Sequence, residues 1–321
     1  MNNEKRAVVM ALGAVALWST VAVAFKLALR ELSSFDLVAL SSLFSWLSLA
    51  IAQGVRKFAL KQQRSGFDED SGKLGLSNAR FQTSQRRFSV FGALILGLLN
   101  PVLYYIVLFA AYDRLPAQVA QPLNYTWPIF LALLAAPLAK RIPTGREMLG
   151  LGLSLLGVFL VAWRPHSGGS LDTLGIVLAL GSGGIWALYW LLGGKLTMDG
   201  GRRLLLGFTA AIPVLLGIWW ARGAALPQSV LGWIMVIWVG LFEMGVTFLL
   251  WNGALEHTER PARVGNLVYL GPFVSLLWIS IFLKEQIFFT TVCGLLVIIL
   301  GIILGRGKGL RKKSSAIKSG G

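Results

Sequence analysis

Ten long apolar runs divide this sequence, and they fall into two sets of five. They cover 7–29, 34–55, 88–111, 117–137, 147–163, 173–194, 204–221, 229–254, 262–283 and 287–305. Most approach the roughly 20 apolar residues that a helix needs to cross a bilayer, and buried helices of soluble domains seldom carry such stretches. The runs are continuous rather than alternating, so they predict helices and not the strands of a membrane barrel. The first run is too long for the core of a signal peptide and lacks a small-residue cleavage site, so it reads as a retained span. The chain is expected to be an all-α polytopic membrane protein of ten transmembrane helices, with little mass outside the bilayer.

Charge sets the expected orientation. A net charge of +16 would suit nucleic acid if it covered one surface, but here it is partitioned between the ends of the runs. With the N-terminus inside, 24 of the 30 basic residues lie on the inner side. They include Lys5 and Arg6, the stretch from Arg56 to Arg87, Lys140 and Arg141, Lys195, Arg202 and Arg203, and the tail from Arg306. The outer side keeps Lys26, Arg30, Arg114, Arg164, Arg222 and Lys284. This positive-inside bias places both termini in the cytoplasm of a multi-pass protein of the cell inner (plasma) membrane. The lipid bilayer, not nucleic acid, is the expected partner, and the basic tail suits anionic inner-leaflet lipid.

Several chemistries are excluded. Cys293 is the one cysteine and lies inside the last run, so no disulfide or cysteine metal site is expected. His166 and His257 stand in different connections, so no metal ligand set and no cofactor is expected. A membrane-embedded enzyme would need a nucleophile–base pair or a metal cluster within the spans, and none is evident. No Gly-x-x-x-x-Gly-Lys-Ser/Thr phosphate loop occurs, so ATP is not the driver.

An internal repeat organises the rest. Pro116-Ala117-Gln118-Val119 opens the fourth run, and Pro261-Ala262-Arg263-Val264 opens the ninth. Pro128 and Pro272 sit within those runs, and Gly150 and Gly157 match Gly294 and Gly301 at the same spacing from them. Trp18 precedes Lys26 in the first run as Trp186 precedes Lys195 in the sixth, one residue out of register. Five is an odd number, so the second copy enters from the opposite side. The expected architecture is two inverted five-helix repeats (5+5), residues 1–165 and 172–305, followed by a basic cytoplasmic tail, 306–321. Residues 56–88 read as a mobile cytoplasmic loop within the first repeat.

These residues resemble a known family, the EamA branch of the drug/metabolite transporter superfamily, over essentially all of 7–305. The resemblance rests on Leu17-Trp18-Ser19, Lys26, the Pro-Ala-x-Val openings, and Leu283-Lys284-Glu285 before the Gly294/Gly301 run. Asn124-Tyr125-Thr126-Trp127-Pro128 and Trp251-Asn252-Gly253 are similar to stretches of the superfamily's aromatic amino-acid exporters. The resemblance implies a ten-helix inverted-repeat fold with a central cavity, and export of metabolites, often amino acids, without ATP hydrolysis. The first copy departs from the pattern, because Lys140-Arg141-Ile142-Pro143 stands where the family has a glutamate that the second copy keeps as Glu285. That glutamate is read as a helix-end structural residue.

Few polar groups lie deep in the runs, and each needs a partner there. Glu243, near the middle of the eighth run, is the deepest acid. A charge at that depth costs roughly 2.5–3.5 kcal/mol on insertion scales, which suits a proton-coupling residue or a partner for a substrate amine. Asn100 and Tyr104 are four apart and share a helix face, next to the kinking Pro101. With Asn124, Tyr125, Asn252, Asn266 and Tyr269 they are read as substrate-binding residues lining the cavity. Trp18, Trp186 and Tyr189 join that set as rings that can stack on a flat solute, whereas Trp163, Trp219, Trp220 and Trp233 fit an interfacial belt. Lys26 and Lys195, at opposite faces, either snorkel or act as gates. Gly301 and Gly305 form a small-xxx-small face that would allow a homodimer. The expected function is a secondary transporter that exports a small metabolite such as an amino acid by alternating access, with Glu243 as coupling residue. The alternative is an exporter of lipophilic cationic drugs.

Overall fold

The computed structural model describes residues 3–64, 89–138, 142, 144–163, 172–260 and 264–305. Most of the loop read as mobile at 56–88, the basic tail, the Pro261-Ala262-Arg263 opening, and Lys140, Arg141 and Pro143 lie outside the described residues. Among the described residues every regular element is helical.

We number the helices α1 (Asn3–Ala28), α2 (Ser34–Arg64), α3 (Ser89–Arg114), α4 (Ala117–Asn124), α5 (Trp127–Leu138) and α6 (Gly145–Ala162). There follow α7 (Thr173–Gly193), α8 (Gly200–Ala221), α9 (Val230–Glu256), α10 (Asn266–Leu283) and α11 (Phe289–Gly305). Eight of these are long and apolar enough to cross a membrane. The fourth run is not one helix. It splits between α4 and α5 at Tyr125 and Thr126, because Pro128 has no N–H for the Asn124 carbonyl and its ring crowds that turn. The tenth run, α11, has 17 residues.

Local chemistry starts the later helices. Thr144 and Glu147 form a reciprocal capping box on α6. Asp172, Asp199 and Ser229 accept from the backbone N–H of Gly175, Arg202 and Gly232 at the starts of α7, α8 and α9. Each side chain satisfies one of the orphan donors that every helix start carries.

Two central helices are interrupted halfway. α3 contains a π segment at Leu98–Leu103, with Asn100 in extended backbone (φ −141°, ψ 114°), and α9 contains one at Val239–Glu243. Each interruption has a glycine pressed on a neighbour at its start, Gly97 just before the first and Gly240 within the second. A Cβ on Gly97 would stand 2.3 Å from the Gly207 carbonyl oxygen of α8, and one on Gly240 would stand 2.5 Å from the Ser41 carbonyl oxygen of α2.

Packing follows one pattern. α1 lies on α9 and α10, α7 lies on α3, α4 and α5, α2 pairs with α8, and α6 pairs with α11. The last pair meets backbone to backbone. A Cβ on Gly150 would fall 2.5 Å from the Gly301 carbonyl oxygen, and one on Gly157 would fall 2.6 Å from that of Gly294. Gly305 lies against Gly150 in the same seam. The Gly301/Gly305 face therefore packs within the chain, which removes the ground on which a homodimer was expected. Small residues serve here because lipid offers helices no hydrophobic drive to associate, so close backbone contact must supply it. The outward face of α6 exposes Leu149, Leu155, Leu156 and Phe159. Such a surface suits acyl chains and would aggregate in water. The chain is a multi-pass membrane protein.

Candidate functional site

The interruptions in α3 and α9, and the break between α4 and α5, surround one central cavity of about 80 Å³. Ten of its sixteen lining side chains are aromatic, and Glu243 is its one acid. Trp18, Val21 and Phe25 of α1 face it at intervals of three and four, as do Tyr104, Leu108 and Tyr112 of α3 at intervals of four. Trp186 and Trp190 close it from α7, and Gln121, Asn124, Tyr125 and Trp127 from the α4–α5 break. Its volume admits a few waters and is well below the roughly 300–1,000 Å³ of a ligand pocket. A metabolite enters only if rings swing or helices part.

The rings are contiguous. Trp251 meets Trp18 at 5.6 Å between centroids, Trp18 meets Phe248 at 5.3 Å, and Phe248 meets Trp186 at 5.4 Å. Trp186 stacks on Tyr104 (4.7 Å, 27°) and on Tyr189 (5.5 Å, 18°). Helices 1, 3, 7 and 9 are thus joined by one aromatic layer. Polar groups are threaded through it. Tyr105 donates to the Oε1 of Glu243 at 3.3 Å, Asn124 donates to the Oγ of Ser182 at 2.8 Å, and Tyr104 approaches the Asn124 carbonyl oxygen at 3.5 Å. Such bonds are what a carboxyl and an amide need at this depth.

Of the residues singled out from sequence, Trp18, Tyr104, Asn124, Tyr125, Trp186 and Glu243 line the cavity together. Tyr189 lies one ring behind, against Trp186. Asn100 does not share the face of Tyr104, because its extended backbone breaks the helix between them. Asn252 sits against Gly200 at the start of α8, Asn266 is exposed, and Tyr269 is buried outside the cavity lining. Phe248 and Trp251 were not foreseen as lining. They align with Glu243 at spacings of five and eight, and a straight helix would turn the residue at five well away from that face. The π segment before them adds the extra residue.

The two lysines differ. Lys26 is held in place: its Nζ donates to the carbonyls of Tyr112 (2.7 Å) and Leu115 (3.2 Å) at the end of α3. A cation there complements the helix dipole. Beside it, Glu285 accepts from the backbone N–H groups of Ala117 (2.9 Å) and Gln118 (3.2 Å) at the start of α4. Lys195, by contrast, is exposed.

The EamA-like transporter family model matches the chain twice, over residues 5–163 and 173–305. The chain belongs to the EamA-like transporter family. Within reach of that family, the chain is similar to an uncharacterised transporter of Bacillus subtilis, YvbV, at 24% identity over 70% of this chain and 74% of that protein. It is also similar to the threonine/homoserine exporter RhtA of Salmonella typhimurium, at 27% identity over 72% of each. A solved crystal structure superposes with a TM-score of 0.59 at 19% identity, covering 93% of this chain and 95% of the other, a likeness of fold. The protein is a transporter of this type.

Proposed function

We propose that the protein is a secondary transporter of the inner membrane, with both termini in the cytoplasm, that exports a small metabolite such as an amino acid by alternating access. The observation that carries this reading is a central cavity walled by aromatic rings around one buried carboxylate, Glu243. Rings bind the apolar body of a solute and the carboxylate meets its amine. The likeness to a threonine/homoserine exporter points to the same solute class.

The reading takes the chain as an inverted repeat of two five-helix halves, 1–165 and 172–305, an arrangement that would allow alternating access. The family model matches twice. The contacts of α1 with α9 and α10 have their counterpart in those of α7 with α3, α4 and α5. Gly97 pressed on α8 corresponds to Gly240 pressed on α2, and the seam of α6 with α11 is its own counterpart. Two halves that make equivalent contacts can exchange conformations, which opens one end as the other closes. Lys26 serves as a gate residue at its end, where it ties α1 to α3.

Glu243 is assigned as the coupling residue, able to carry a proton or a substrate amine but not both. In liposomes loaded with unlabelled solute, counterflow of labelled threonine, phenylalanine, tryptophan or lysine tests the reading. Glu243→Gln is expected to abolish the dependence of transport on a pH gradient and to cut counterflow about tenfold or more. Unchanged transport and pH dependence in that variant would remove Glu243 from the mechanism.

The alternative is an exporter of lipophilic cations. It is favoured by one feature, that no basic side chain lines the cavity while aromatic faces and a carboxylate do. Counterflow of a quaternary ammonium dye, in the absence of amino-acid counterflow, would establish it.

A further inference from the structure

Arg203 is buried in the first turn of α8, 8% exposed, while its neighbour Arg202 is exposed. Helix chemistry explains part of its place, since it meets the last carbonyl of α7, Gly193, as Lys26 meets the end of α3. A cation in the first turn opposes the helix dipole, and a desolvated guanidinium is costly unless paired. Among the described residues no carboxylate lies within ion-pair distance of it. Its Nη1 donates to the Gly193 carbonyl at 2.8 Å, but its Nε is buried with no acceptor. The guanidinium lies over the rings of Tyr189 (5.7 Å) and Trp190 (5.9 Å), so one aromatic layer separates it from the cavity.

Two further groups there are unsatisfied. Trp190, a cavity wall, has a buried indole N–H with no acceptor. Asn100, 2% exposed at the interruption of α3, has neither amide atom hydrogen-bonded, although the Tyr189 side chain reaches toward both it and Arg203. Buried polar groups are almost always paired, so a cluster of orphans marks a site built for something absent. These orphans are mainly donors, gathered beside a fixed positive charge. The group that satisfies them is a planar anion with several acceptor lone pairs, which a guanidinium recognises as a fork.

We infer that Arg203, with the indole N–H of Trp190 and the amide of Asn100, receives the carboxylate of the transported solute when Trp190 swings aside. The inference rests on the proposed transport of amino acids and narrows it. A site for a carboxylate makes the solute an acid-bearing metabolite such as an amino acid and not a simple organic cation.

The experiment compares matched solutes with and without the carboxylate, threonine against threoninol and tryptophan against tryptamine, by counterflow in liposomes. The proteins are wild type, Arg203→Gln, Arg203→Lys and Trp190→Phe, each checked for monodispersity. Arg203→Gln is expected to raise KM for the acid about tenfold or more and to leave the decarboxylated partner within about twofold. Arg203→Lys is expected to recover part of the loss, and Trp190→Phe to raise KM for the acid about threefold to tenfold. A merely structural Arg203 would change both solutes alike, and that result overturns the inference while leaving amino-acid transport standing. Wild-type transport of amines alone overturns it too, in favour of the cation exporter. Absence of all counterflow from folded wild type overturns both this inference and the amino-acid reading. If Arg203→Gln is misfolded, Trp190→Phe decides: equal effects on acid and amine sink the site.

Discussion

The two ends of the bundle are closed by different chemistry. At the end that carries Lys26, carboxylates sit on helix starts. Glu285 takes two backbone donors of α4, and Glu31 takes the N–H groups of Gln228 (2.9 Å) and Ser229 (3.1 Å), with the Ser229 hydroxyl as a third. At the other end, the place equivalent to Glu31 in the proposed repeat holds Ser89 and Thr197, whose hydroxyls lie 2.9 Å apart, with the Thr197 N–H donating to Ser89 at 3.2 Å. Each end also has a partly exposed ion pair, Arg114 with Asp172 (2.7 Å) at the Lys26 end and Arg56 with Asp199 (2.6 Å) at the other. Charge-assisted bonds to helix starts are about twice as strong as neutral ones, and exposed ion pairs contribute little. Between these two equivalent contacts the Ser89/Thr197 one is therefore the easier to open, while Glu4 at the same end accepts from the Glu259 N–H (2.7 Å) and the Thr258 hydroxyl (3.1 Å).

The sharpest way to break this comparison is to fix the easier contact. In a Cys293→Ser background, Ser89→Cys with Thr197→Cys should form a disulfide, since the native oxygens are already in contact. Oxidation is expected to abolish counterflow and reduction to restore it. Undiminished transport with the bond formed would mean that this end does not move.

Next in size is removal of a latch. Glu285→Ala leaves two helix-start donors unpaired and is expected to lower stability by about 1.5–3 kcal/mol, read as a drop in Tm in detergent. Ser89→Ala should cost less, and the reverse order would end the distinction between the ends.

Acid should act on the stronger contact. The Ser229 hydroxyl and backbone bonds to Glu31 hold its carboxyl below the usual glutamate range. A lowered carboxylate stabilises the fold above its unfolded value, and that contribution is lost as pH falls through the folded value. Glu31→Gln is thus expected to lower Tm at about pH 7, with the gap to wild type shrinking as pH falls below the usual glutamate range. A gap that persists in acid would show that packing, not charge, holds Glu31. The smallest effect is expected from Arg56→Gln, about 0.2–1 kcal/mol, because both partners are partly solvated.

Much of this arrangement is legible in the sequence. Composition alone marks the spans, and Pro128, Pro272 and the paired glycines mark the proposed repeat, because proline and glycine leave their signatures wherever backbones bend or touch. Six of the side chains gathered at the cavity are also foreseeable, since a polar or aromatic group deep in a span has few other uses. What escapes is whatever depends on helix phase beyond a break. Asn252, placed by an unbroken helix, turns toward α8, while Phe248 and Trp251 rotate into the cavity. Arg203 escapes for another reason. Sitting among residues that set topology, it looks like one more inner-side charge, and only the rings folded beneath it show otherwise.

The seam of α6 with α11 joins segments made far apart in time. During synthesis α6 enters the membrane with 22% of its apolar window buried in the finished fold, and the surface that receives it is the last described helix to emerge. Until then its glycines face lipid and offer a bare groove to any passing helix. Assembly of this bundle is thus closed by its last described helix, like the last stave of a cask, and a ribosome that stops short of Phe289 releases a bundle with one side still open.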